Sequence, residues 1–247
     1  MKLLDHLFLV ASGDVGLSLT SPLDCNVYLI DTGQGVILID AGSNYHPEMM
    51  DGVIASMGFA IDDIKIILLT HYHADHCCGA QRLYKMSGAC VYAPEKEAQA
   101  IIDGDADQIG LTVARNAGYV YPDGYEFVAC PKVIPLCDGQ AVSLGDVTVT
   151  GHAIPGHSLQ DMVYHSKIDG NHCLFTGDSL FPTGMVLLQN LPDVCIYDYS
   201  VGLKKLSRLP VDVFLPGHRE PSLSRGKRHL EAAIAKFDGL LLPAQLL

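Results

Sequence analysis

The sequence predicts an α/β protein whose sheets are covered by helices. Three observations carry that prediction. Nearly half of the 247 residues are hydrophobic and 18% are charged, a globular composition rather than a disordered one. Short apolar runs come first, and helix-spaced segments then alternate with further runs. The later runs each end in or close to a polar cluster. Element order alone leaves the topology open.

Leu7 to Val10 reads as a first strand. "CNVYLIDTGQGVILIDAG" (25–42) reads as a hairpin, because two β-branched and aromatic runs flank Thr32-Gly33-Gln34-Gly35. Met50, Val53, Ile54 and Met57 have helical spacing between Pro47 and Gly58. "IKIILLT" (64–70) is a buried strand, "GAQRLYKMSG" (79–88) a helix closed by glycine, and "CVYAP" a strand stopped by Pro94. Residues 95–118 are helical with breaks at Gly104 and Gly110, and 118–127 is rich in turns and tyrosine. Strands follow in 147–158, 161–181 and 211–220, with helices near 197–208 and 225–238.

The formal net charge of -12 makes nucleic acid a poor partner. No apolar run approaches the roughly 18 residues of a membrane span. The N-terminal "MKLLDHLFLVASGD" superficially resembles a signal peptide, but Asp5 and His6 interrupt it. The eight cysteines form no tight framework, so reduced thiols in a cytoplasm are expected.

"THYHADH" (70–76) crowds three histidines and an aspartate just past an apolar strand. His71 and His73 lie two apart and point to one side if the strand continues briefly, while Asp75 and His76 follow as the chain turns. Four ligands from one turn fit two neighbouring ions better than one. Further ligands should sit at strand ends, and His157, Asp178 and His218 each follow an apolar strand with glycine just before them.

The T-H-x-H-x-D-H run, with the later P-G-H, G-D and G-H, resembles the metallo-β-lactamase-fold hydrolase superfamily. The similarity runs from "NVYLIDTGQGVILIDAG" to "LPGHRE", so a single domain over 1–247 is expected. The resemblance implies a four-layer αββα sandwich with a site at one edge between the sheets. Carried over by residue, it implies one metal on His71, His73 and His157, a second on Asp75, His76 and His218, and Asp178 as the bridge. Two zinc ions are the default, with iron or manganese possible.

Other residues are weaker candidates. His46 lies just past Asp40-Ala41-Gly42, a loop that in this family approaches the metals, so it is a candidate substrate contact. Met185 and Leu187, in the loop beyond Asp178, could line an acyl pocket or form a dimer patch. Tyr119, Tyr121 and Tyr125 with Arg115 could wall the site or belong to a surface insertion. His6, His152, His165, His172 and His229 read as structural or surface groups, and Cys77 and Cys78 as packing. The tail "GLLLPAQLL" is apolar enough to pack on the body or on a partner, a homodimer included.

The expected function is a binuclear hydrolase of a small-molecule ester, lactone or thioester. Its nucleophile would be a hydroxide shared by the metals and oriented by Asp75. "LFTGDSLF" looks most like glyoxalase II and related thioesterases, but the 29 residues beyond His218 leave no room for their helical glutathione-binding domain. Phe181 stands where related homoserine-lactone lactonases use tyrosine. The rivals are a mononuclear iron oxygenase like the persulfide dioxygenases, a phosphodiesterase or nuclease, and a binding protein that has lost turnover. The first is disfavoured by the text after Gly177-Asp178 and the last by the intact ligand set.

Overall fold

The computed structural model describes residues 1–116, 121–122 and 124–246. It holds two sheets. The first is formed in the order β1 (Leu7–Ala11), β2 (Val27–Asp31), β3 (Val36–Ile39), β4 (Ile64–Leu68), β5 (Cys90–Pro94) and β6 (Val133–Leu136). Strands β1 to β3 are antiparallel neighbours, and β3 to β6 run parallel. The second contains β7 (Ala141–Leu144), β8 (Val147–Ala153), β9 (Met162–Ile168), β10 (Asn171–Gly177) and β11 (Val213–Pro216), ordered 11-10-9-8-7, with only the β10–β11 pair parallel.

Side-chain alternation builds four layers. Along β2, Tyr28 and Ile30 point into the space between the sheets, where they meet Met162, Tyr164, Phe175 and Leu215. Val27 and Leu29 point the other way, toward Met50 and Ile54 of α1 (Pro47–Ser56) and Leu83 of α3 (Ala80–Ser87). The outer face of the second sheet, through Val163, Leu174 and Phe214, packs on α6 (Ile196–Leu206) and α7 (Lys227–Asp238). Strands covered on both faces explain why the sequence reads as unbroken apolar runs. Each fully buried Leu, Ile or Phe contributes about 1.5–3 kcal/mol. Among the described residues no helix is long and apolar enough to cross a membrane.

The expected strands and helices are present, and the region 95–118 resolves into α4 (Ala98–Asp103) and α5 (Leu111–Asn116). Two strands carried no adequate sequence signal. Pro135 interrupts β6, and proline is tolerated there because β6 is an edge strand, bonded only to β5. Strand β7 is the opposite kind of weak signal: a short, half-exposed edge of the second sheet. Tyr119 lies outside the described residues.

Two connections lock the sheets together where the polar clusters meet. The Met162 N–H donates to the Thr70 carbonyl (2.7 Å), and the Tyr164 hydroxyl donates to that of Leu69 (2.7 Å). On the other side, the Tyr28 hydroxyl and the Asn26 amide donate to the Pro216 carbonyl (2.8 and 2.9 Å). The loops following β4, β8, β10 and β11 therefore converge at one edge.

Candidate metal centre

All seven sequence-derived candidates come together at that edge. His71 and His73 follow β4, and Asp75 and His76 lie in α2 (Ala74–Cys77), a single helical turn. His157 follows β8, Asp178 follows β10, and His218 follows β11. Two of the preceding glycines are required by crowding. A Cβ at Gly177 would lie 2.7 Å from Thr70, and one at Gly217 would collide with the Asp178 carboxylate and the His76 ring.

The ligand atoms of the seven form two groups, and a third triad of His71, His76 and Asp178 spans them. His71, His73 and His157 close on one point, with His157 Nε2 and His73 Nδ1 3.0 Å apart. Asp75, His76 and His218 close on another, with His218 Nε2 3.1 Å and His76 Nε2 3.6 Å from Asp75 Oδ2. Asp178 lies between them, 3.3 Å from His76 Nε2, 3.4 Å from His218 Nε2 and 3.8 Å from His157 Nε2. Such separations match the edges of a coordination shell with metal–ligand bonds of about 2.0–2.2 Å.

The opposite faces of the histidine rings show which nitrogens are free to bind. His76 Nδ1–H donates to Asp40 Oδ2 (2.9 Å), and His157 Nδ1–H donates to the Leu187 carbonyl (3.1 Å). The Thr70 hydroxyl donates to Asp40 and so accepts from His71 Nδ1–H (3.0 Å). These bonds fix the tautomers and aim Nε2 of all three rings into the cluster. There, Nε2 of His71 and His76 and Oδ1 of Asp178 are buried with no protein partner. An unmet buried polar group costs about 1–3 kcal/mol, so orphans converging on one locus fit a cation.

The electrostatics agree. None of the ion pairs among the described residues brings a lysine or arginine to this cluster. Without a cation, burial works against charge on Asp178, but His218 and His76 outweigh it and hold that carboxyl well below its usual range. Burial likewise opposes charge on Asp75, yet His76 and His218 bring it to about 2. Burial and the neighbouring histidines push His71 far down, and burial with His157 brings His73 to about 4. His218 resists burial, and the two aspartates raise it to about 9. His71 and His73 held neutral, beside the carboxylates of Asp75 and Asp178, suit borderline N/O-binding divalent metals.

Several supporting residues carry no motif. Asp40 holds Thr70 and His76 from a left-handed backbone conformation (φ 64°), a strained geometry that persists where the surroundings impose it. Its place after β3 was the only signal. Asp161 accepts from the backbone N–H groups of His157 (3.1 Å) and Ser158 (2.7 Å). Glu97 is fully buried and accepts from both histidine-bearing loops. Asp40, Asp161 and Cys25 also form buried neighbours of the cluster, but burial pushes the Cys25 thiol up and keeps it protonated.

The weaker candidates separate. The Tyr121 hydroxyl lies 3.5 Å from Asp75 Oδ1, and its ring stacks on Tyr125 at 5.1 Å. His46 sits at the start of α1, half-exposed, 3.5 Å from Glu48 and against the Tyr45 ring; no bond or ring contact among the described residues joins it to the cluster. Met185 and Leu187 pack with Phe181 and Leu246, and the chain around Leu246 pairs with Val186 through two backbone bonds. The tail thus packs on the body, although Leu240, Leu241 and Leu242 are exposed. His165 stacks on His172 away from the centre, Cys77 donates to the Tyr72 carbonyl, and all eight cysteines are unpaired.

Comparison with known proteins places this geometry. The curated relatives include an acyl-coenzyme A thioesterase of Gallus gallus, 28% identical over 208 residues (78% of this chain, 72% of the relative). An atrochrysone carboxyl ACP thioesterase of Aspergillus fumigatus is 26% identical over 195 residues (78% and 50%). A hydroxyacylglutathione hydrolase of Hahella chejuensis is 30% identical over 172 residues (70% and 54%). The chain spans about half the length of most of these relatives. Among solved structures, a subclass B3 metallo-beta-lactamase of Bradyrhizobium japonicum superposes with a TM-score of 0.72 at 25% identity, covering 97% of this chain and 91% of the other. The family model of the metallo-beta-lactamase superfamily matches residues 20–218, which include every member of the cluster, and the chain belongs to that superfamily.

Proposed function

We propose that the protein is a binuclear metal-dependent hydrolase of small-molecule acyl compounds: esters, lactones or thioesters. One observation carries this reading. Two three-residue ligand groups flank one carboxylate, Asp178, which can neutralise and space two cations. In this reading His71, His73 and His157 hold the first metal, Asp75, His76 and His218 the second, and Asp178 both. Zinc is the expected ion, in a reducing cytoplasm that suits eight free cysteines. The thioesterase names among the relatives favour acyl transfer to water over phosphodiester chemistry.

Divalent metal bound there would polarise the acyl carbonyl and make a water acidic enough to lose its proton near neutral pH. The chain's own groups supply the rest. Asp75, whose side chain is 19% exposed, is placed to orient the attacking water by accepting a hydrogen bond from it. The Tyr121 hydroxyl beside it can donate to an oxygen of the substrate. Asp40, Thr70 and the Leu187 carbonyl keep the histidine rings in one tautomer, so no reorganisation is required when substrate arrives.

The test combines metal analysis with a substrate panel. Purified protein should carry close to two transition-metal ions per chain. It should hydrolyse a thioester, ester or lactone much faster than any β-lactam, because Asp178 supplies a bridge that β-lactam-degrading members with the same His-rich start generally lack. Efficient penicillin or carbapenem turnover with no activity on the acyl panel would overturn the reading.

A further inference from the structure

We propose that Glu97 is a positioning residue that clamps together the two loops bearing His71, His73 and His157, and so sets the affinity of the three-histidine metal position. The inference rests on the metal assignment above but concerns a residue outside the ligand set.

Glu97 immediately precedes α4. An acid at that place reads as a helix cap, yet its side chain makes no capping bond. It turns inward and is fully buried. Oε2 accepts the backbone N–H of Tyr72 (2.9 Å), the residue between His71 and His73. Oε1 accepts the Ser158 hydroxyl (2.6 Å) and the Gln160 N–H (2.8 Å), in the loop that begins with His157. One carboxylate therefore satisfies three donors on two loops separated by more than eighty residues of chain. Tyr72 is held at its far end too, since its hydroxyl donates to Asp193 (2.6 Å).

The clamp matters because the three ligand histidines come from different strands. His71 and His73 follow the first sheet and His157 the second, so their separation depends on what joins the loops. All three donors point at Glu97, so an amide there would turn its NH2 group toward at least one of them. Burial and the like-charged neighbour Asp161 push the Glu97 carboxyl up to about 8, a cost that the three hydrogen bonds it accepts from the two loops partly offset.

Glu97→Gln should retain the fold and weaken metal at the three-histidine position by about 10–100-fold, the usual loss when a group supporting a ligand is removed. Chelator-competition titration and the cobalt absorption spectrum would read this without any turnover assay. The metal held by Asp75, His76 and His218 should be affected far less. Asp103→Asn, an equal charge change at an exposed position on the same helix, should leave both affinities unchanged. If Glu97→Gln does not fold, Ser158→Ala removes one of the three donors and should weaken the same position by about 3-fold or more, scaled from one lost hydrogen bond. A folded Glu97→Gln or Ser158→Ala protein with wild-type affinity at both positions overturns the clamp, as does a loss shared equally by both. Wild-type protein that binds no metal overturns the functional reading itself, a result separate from these.

Discussion

At the residue scale, the seven clustered side chains differ in what each replacement should cost. Asp178 sits between both groups, and a serine hydroxyl there cannot match a carboxylate's charge. In the binuclear reading, Asp178→Ser should weaken the second metal's binding and lower turnover by at least about 100-fold, beyond the 10–100-fold typical of supporting groups. A variant keeping two metals and full rate would remove the bridge from consideration. Tyr121→Phe keeps the stack on Tyr125 but deletes the hydroxyl near Asp75. Its kcat should fall by about 10-fold while metal content stays unchanged, the upper scale of one lost hydrogen bond to the substrate. An unaltered kcat with a raised KM would instead assign Tyr121 to substrate binding. The ligand candidates were legible because imidazole and carboxylate are rare at such density. Asp40 and Glu97 were not, since an isolated acid carries no spacing and only its buried surroundings give it a role.

At the element scale, short loops at strand ends position everything in the centre. Gly177 ends β10 with φ 47°, and a side chain there would press on Thr70, which supports His71 and holds Asp40. Gly177→Ala should therefore destabilise the protein by more than about 1 kcal/mol, the usual scale when a positive φ is forced on alanine. It should also weaken metal binding; urea unfolding and metal titration on the same preparation would show both. Intact metal affinity in a destabilised variant would mean that Thr70 relaxes without disturbing the ring. Most elements were readable from period and turn residues, as in the hairpin around Thr32 to Gly35. Strands β6 and β7 were not, because these edges are half-exposed, unlike the buried edges β1 and β11, and carry no unbroken apolar run.

At the scale of the whole molecule, the centre stands where two sheets meet, so metal bound there should act as a cross-link between them. Native binding of an ion at a concentration 1,000 times its Kd adds about 4 kcal/mol, and in a chain of this length each kcal/mol moves Tm by about 2–4 °C. Chelation should lower Tm by roughly 8–16 °C for each ion removed, and added zinc should restore it. A Tm indifferent to chelator, in protein shown to carry metal beforehand, would mean that the sheets hold the cluster in place unaided. The Met162–Thr70 and Tyr28–Pro216 bonds are the connections that would then suffice.

The sequence by itself determined the class of the fold, most of its elements and the identity of the seven clustered residues. Hydrophobic period and local ligand spacing are properties of neighbours in the chain, so they survive in one dimension. Tertiary structure decided the rest: which nitrogen of each histidine faces inward, and that Asp40, Thr70, Glu97 and a backbone carbonyl hold them. It also carried the apolar tail onto the loop of Met185 and Leu187, and set Tyr121 beside Asp75. The physical reason is range. Hydrogen bonds between loops depend on the packing of two sheets, and no periodicity within either partner records which distant group will satisfy it.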